Sequence, residues 1–221
     1  FSGAKNGKKY GTMSNTVPRP ALVVNIQSSA RHPQVRKKDN MLNKLLITGA
    51  NGGLGSVCRE RLTHLAKTVR VSARKDLGNA AAHEEIVYCD LADKDAVEAM
   101  VHGCDGIVHM GGQATEANWD TIRAANIDGI FNLYEAARKS PVTPRIIFAS
   151  SNHAIGFHEQ TERLDAKSPT RPDGLYGVSK VFGEAMASMY YDKFGIETAS
   201  IRIGSCFPEP INHRMLSTWM S

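Results

Sequence analysis

Short apolar runs alternate with longer amphipathic stretches from about residue 45 to residue 203, and this alternation predicts the fold. Leu45-Leu46-Ile47-Thr48 is a compact apolar run stopping at Gly49, as expected of a strand buried on both faces. Ser56–Ala66 follows with helical spacing, Val57, Leu62 and Leu65 pointing inward. Thr68–Val71, Glu85–Cys89, Gly106–Met110, Arg145–Ala149 and Thr198–Ile203 read as further strands. Between them, Lys94–Val101, the stretch Trp119–Arg138 and Tyr176–Phe194 carry helical spacing. Strand and helix in turn argue an α/β class with a doubly wound parallel sheet, Rossmann-like, covered on both faces. No internal repeat is present, and the pattern breaks off at Met215–Ser221, so the C-terminal part is expected to be truncated.

Composition is that of an ordinary globular chain, 42% hydrophobic and 22% charged. No apolar run reaches the roughly 20 residues of a transmembrane helix, so no membrane partner is expected. Cys58, Cys89, Cys104 and Cys206 are scattered, with no CxxC pair and no metal-ligand spacing. Reduced thiols in a cytoplasmic setting, and no metal, are the expectation.

The net charge of +5 changes the picture once it is divided. Of 27 basic and 22 acidic residues, residues 1–40 hold eight and one, a net +7, leaving −2 for the remainder. Residues 1–40 therefore read as a basic, disordered leader, with a transit-type peptide or sequence upstream of the true start as alternatives. The body, residues 41–221, is mildly acidic and offers no nucleic-acid surface.

Chemistry enters with the glycines. Gly49-x-x-Gly52-Gly53-Leu54-Gly55 follows the first body strand and opens a helix. Such a turn lets backbone N–H groups approach a pyrophosphate at a helix N-terminus, so Gly49, Gly52, Gly53, Leu54 and Gly55 are candidate cofactor contacts. At the end of the second strand, where an acidic residue would hold the ribose of NAD, the chain has Ser72-Ala73-Arg74-Lys75. Arg74 there suits a 2′-phosphate, so NAD and NADP both stay open. Asp90-Leu91 ends the third strand, placed to meet the adenine edge or to cap the next turn. Tyr176 and Lys180 stand four apart, on one face of a helix with Cβ atoms roughly 5–6 Å apart. A neighbouring ammonium is expected to lower the phenol pKa and make Tyr176 a general base.

Together these residues resemble the extended short-chain dehydrogenase/reductase (epimerase/dehydratase) family. The resemblance rests on the glycine turn, Asp90-Leu91, His109-Met-Gly-Gly112, Asn126, Ser150-Ser151 and Tyr176-x-x-x-Lys180, from about Leu45 onward. Cys104–Gly112, Asn132–Arg138, Phe148–His153, Arg171–Lys180, Arg202–Pro210 and Arg214–Trp219 resemble the uronate dehydrogenases more closely. That resemblance implies oxidation of the anomeric carbon of a free hexuronic acid, with NAD(P), to an aldarolactone. It implies Ser151, Tyr176 and Lys180 as catalytic residues. Gly111, Asn126, Tyr176 and Lys180 join the cofactor contacts, Lys180 through the nicotinamide ribose, and Asn152, His153, Ser205 and Arg214 join Ser151 as substrate contacts. Arg214 would clamp the carboxylate. Thr115 stands where the family carries a serine contact. A small-molecule sugar acid is the expected partner, with a homo-oligomer possible. Ser150 is expected to support the strand end rather than react, and His158 to be a surface residue. A nucleotide-sugar epimerase or dehydratase of the same fold, or a non-catalytic dinucleotide sensor, are the competing readings. Asn152-His153 after Ser151, in place of an Asp-Glu pair, argues against a dehydratase, and an intact Ser151/Tyr176/Lys180 set argues against a sensor.

Overall fold

The computed structural model describes residues 23–26, 41–206 and 209. Its strands are β1 (Val23–Ile26), β2 (Leu42–Thr48), β3 (Ala66–Ala73), β4 (Glu84–Tyr88), β5 (Gly106–His109), β6 (Arg145–Ser151) and β7 (Thr198–Ile203). Its helices are α1 (Gly53–Arg61), α2 (Lys94–Val101), α3 (Trp119–Ile122), α4 (Gly129–Lys139) and α5 (Leu175–Phe194). One sheet runs in the order β1-β7-β6-β5-β2-β3-β4. The six strands β2–β7 pair in parallel, and β1, within residues 1–40, pairs antiparallel on the β7 edge.

The apolar runs of the body become strands because both sheet faces are covered. Leu46 and Ile107 enter a core with residues of α2, α4 and α5, while Leu45, Ile47 and Val108 enter a second core on the α1 side. Each such side chain contributes about 1.5–3 kcal/mol on burial, so alternation along β2 serves two cores at once. α2 starts where Asp93 accepts the N–H groups of Asp95 and Ala96.

The chain winds from β2 outward to β4, then returns to β5 beside β2 and winds the other way to β7. The C-terminal ends of β2 and β5 therefore form the switch point of the sheet, where a crevice opens. Two expected inward residues differ. Val57 is 43% exposed because that face of α1 borders the crevice. Leu65 is 42% exposed because α1 stops at Arg61 and the chain turns through a 3₁₀ segment. Trp119–Arg138 is interrupted by a π-helical segment, Arg123–Asp128. Among the described residues, no helix is long and apolar enough to cross a membrane.

Candidate active site

The glycine turn is built by close backbone approach. Gly49 has φ +66°, and a Cβ on it would lie 2.8 Å from the Gly111 backbone. A Cβ on Gly55 would lie 1.9 Å from the Gly49 carbonyl oxygen, so α1 seats against the turn only with glycine there. Gly52 caps α1 without a side-chain bond, and the first turn carries no acid. Amide donors at the start of α1 are thereby left for an anion, so the residues fit a dinucleotide pyrophosphate.

Gly49, Gly52, Gly53, Leu54 and Gly55 line one wall of the crevice. Arg74, Asp90, Leu91 and Gly111 line it further along. Arg74 is exposed at the end of β3, after the buried Ala73. The Asp90 carboxylate accepts the Ala92 N–H at 3.0 Å, so it caps the following turn while lining the crevice. Asn126 sits apart from this wall. The π-helical segment turns it inward, where its Oδ1 accepts the Gln113 N–H at 2.7 Å and its Nδ2 donates to Ser179 Oγ at 2.8 Å. It holds the Gly111–Gln113 loop rather than facing the crevice.

Ser151, Asn152, His153, Tyr176, Lys180 and Ser205 line the opposite wall. Ser151 ends β6 and accepts the His153 N–H at 3.2 Å, which tightens the chain into the 3₁₀ segment Asn152–Ile155. His153 Nδ1 faces both Asp173 oxygens, at 2.8 and 3.0 Å, and its ring stands edge-on to Tyr176 at 5.5 Å. Arg214 lies outside the described residues.

Tyr176 and Lys180 share the buried face of α5, as their spacing requires. The expected lowering of the phenol pKa is not what the site shows. Burial raises the Tyr176 pKa above its ordinary value, and the Ser151 hydroxyl only partly offsets this. Lys180 does not relieve it. Its Nζ lies 5.3 Å from the Tyr176 ring centroid and donates to the Ala149 carbonyl at 2.8 Å. Burial lowers its own pKa to about 8.

Thr48 and Glu184 frame the site with no sequence signal. Thr48 Oγ1 accepts the Gly111 N–H at 3.0 Å and bonds His109 Nδ1 at 2.7 Å. Burial, then the Lys180 charge, push the His109 pKa down to about 3, so the imidazole is neutral. Behind β6, Ser150 Oγ donates to Glu184 at 2.6 Å, a supporting role as expected, and Glu184 pairs with buried Arg202. His158 is more engaged than a surface histidine, its nitrogens facing Glu162 and the Pro169 carbonyl. The described cysteines are all unpaired, and no metal-holding cluster occurs among the described residues.

A family model described as "NAD dependent epimerase/dehydratase family" matches residues 45–219. A uronate dehydrogenase of Agrobacterium fabrum is 59% identical over 180 residues, covering 81% of this chain and 68% of that protein. A crystal structure of a glucuronic acid dehydrogenase from Chromohalobacter salexigens superposes with a TM-score of 0.77 at 57% identity, covering 81% of this chain and 67% of that one. A uronate dehydrogenase variant from Agrobacterium tumefaciens, solved with NAD, superposes with a TM-score of 0.76 at 58% identity, covering 80% and 66%. The chain spans about two thirds of the length of these relatives.

Proposed function

The chain belongs to the NAD dependent epimerase/dehydratase family, and from that premise we propose that it oxidises the anomeric carbon of a free hexuronic acid, such as galacturonate or glucuronate, to the aldarolactone. The observation that carries this reading is the meeting of Ser151, Tyr176 and Lys180 on one wall of the crevice that the glycine turn opens. NAD, when bound on that turn, supplies the hydride acceptor.

Tyr176 takes the proton of the anomeric hydroxyl as the hydride leaves the same carbon, so the C–O bond becomes a carbonyl beside the ring oxygen. Ser151 hydrogen-bonds the reacting oxygen and keeps it against the phenol. The buried phenol needs a cation closer to its oxygen before it ionises near neutral pH. Lys180 is that cation once it leaves the Ala149 carbonyl. Asn152, His153 and Ser205 contact the sugar hydroxyls, and Arg214 supplies the planar fork for the carboxylate. The four scattered thiols support the expectation of a cytoplasmic enzyme, and a homo-oligomer remains part of the same reading.

The test mixes the full chain with NAD and either uronate, following near-ultraviolet absorbance of the reduced cofactor and lactone by chromatography. Turnover is expected, and Tyr176→Phe is expected to abolish it while cofactor binding stays. No reduced cofactor with either uronate, or full turnover by Tyr176→Phe, counts against the proposal.

A further inference from the structure

Glu116 follows directly on Thr115, which lines the crevice. Its Oε1 accepts the Leu175 N–H and its Oε2 accepts the Tyr176 N–H, both at 3.0 Å. These are the first two amides of α5, and amides at a helix start have no partner within the helix. A side chain just before the helix usually meets that need, but Gly174 has none and makes no cap bond. A Cβ on Gly174 would lie 2.4 Å from Glu116 Oε2, so the absence of a local cap and the presence of the distant one belong together.

The same loop is tied to α5 a second time. Asn126 grips the Gln113 N–H and carbonyl, and its Nδ2 donates to Ser179 Oγ, which donates to the Tyr176 carbonyl at 2.7 Å. Tyr176 thus has its N–H bound by Glu116 and its carbonyl bound through Ser179 to Asn126. Both ties lead to residues 111–116, the loop that also carries Gly111 on the cofactor wall.

We infer that Glu116 is a positioning residue: it clamps the backbone of Tyr176 to the Gly111–Glu116 loop, so that the phenol, Gly111 and Thr115 keep one relative placement. The inference rests on the reading of Tyr176 as the base. Glu116 itself touches no reacting atom. Its carboxylate caps α5 and fixes the loop together, and the two roles separate by mutation.

Glu116→Ala, Glu116→Gln and the double variant Glu116→Ala/Gly174→Asp make the test in the full chain. Gly174 is extended (φ −175°), a backbone any residue adopts, and Glu116→Ala vacates the space a side chain there needs. The introduced carboxylate restores the cap of α5 but cannot hold the loop. Glu116→Ala should lower the thermal midpoint and reduce kcat/KM by on the order of 10- to 100-fold, the scale of a small misplacement of a reacting group. Glu116→Gln, with one acceptor oxygen, should fall between. The double variant should regain the midpoint and amide protection in the first turn of α5, while kcat/KM stays low and residues 111–116 exchange faster than in wild type. Recovery of kcat/KM along with the midpoint would make Glu116 a helix cap and nothing more. Unchanged kcat/KM in Glu116→Ala would overturn the inference outright. A wild-type chain that makes no reduced cofactor counts against the uronate reading alone. The exchange of residues 111–116 then still decides on Glu116.

Discussion

Removing the carboxylate of Glu184 gives the sharpest test of how the floor of the site is held. Glu184 and Arg202 are 7% and 5% exposed, joined by two bonds, Nε–Oε1 at 2.9 Å and Nη2–Oε2 at 2.8 Å. Ser150 Oγ adds a third bond to Oε1 at 2.6 Å, and Arg202 Nη1 donates to the Ser168 carbonyl. Charge-assisted bonds count for about 1.5–3 kcal/mol each, so simple addition over three would exceed the net effect. Desolvation of both ions takes back much of that sum. What does not cancel is the cost of a buried guanidinium left with one carbonyl, about 3–5 kcal/mol. Glu184→Ala should therefore lose about 3–5 kcal/mol in urea unfolding. At about 2–4 °C per kcal/mol for a chain of this size, the midpoint should fall by roughly 6–20 °C. The double variant Glu184→Met/Arg202→Met, apolar at both positions, should recover most of the loss. A single variant costing under about 1 kcal/mol, or a double variant no better than the single, refutes the argument from an uncompensated buried charge.

Gly55→Ala should abolish binding of NADH followed by its fluorescence, because the added Cβ meets the Gly49 carbonyl at 1.9 Å; retained binding would mean the turn can shift. Arg74→Ala should leave NAD turnover unchanged and, if Arg74 meets a 2′-phosphate, lower kcat/KM with NADP about tenfold, one charge-assisted bond's worth; equal kinetics with both cofactors removes Arg74 from that role. The segment 156–171 should loosen as pH rises, read by amide exchange. The Pro169 carbonyl, then Glu162, raise the His158 pKa above its ordinary value, against desolvation and the smaller opposing charge of Arg171. The stabilisation is then complete below about 6.5, the unfolded value, and is lost as pH passes the higher folded one. Protection that stays flat with pH contradicts this.

What the sequence disclosed depended on the range of the interaction. β2, β5 and β6 were legible because burial on both faces leaves continuous apolar runs, and the glycine turn because its geometry forbids side chains at fixed spacing. The helix expected over Ser56–Ala66 is displaced from α1, Gly53–Arg61, and Val57 faces the crevice instead of a core, since a helix bordering a crevice shows the same apolar spacing as one on a core. The shared face of Tyr176 and Lys180 followed from a spacing of four. The phenol's raised pKa did not follow, because it depends on how deeply α5 is buried and on Lys180 reaching Ala149. Glu116 on α5, Thr48 on His109 and Glu184 on Arg202 join distant segments, and no local pattern encodes them. Only the fold brings those partners within bonding distance.

Galacturonate deuterated at its anomeric carbon, incubated with the chain and NAD and followed by mass spectrometry of cofactor and sugar, tests the central claim most directly. Hydride transfer from that carbon predicts deuterium on the nicotinamide of the reduced cofactor, matched by unlabelled aldarolactone, and a slower rate than with ordinary galacturonate. Label retained in a sugar product with no net reduced cofactor, the outcome for an epimerase that returns its hydride, would contradict it.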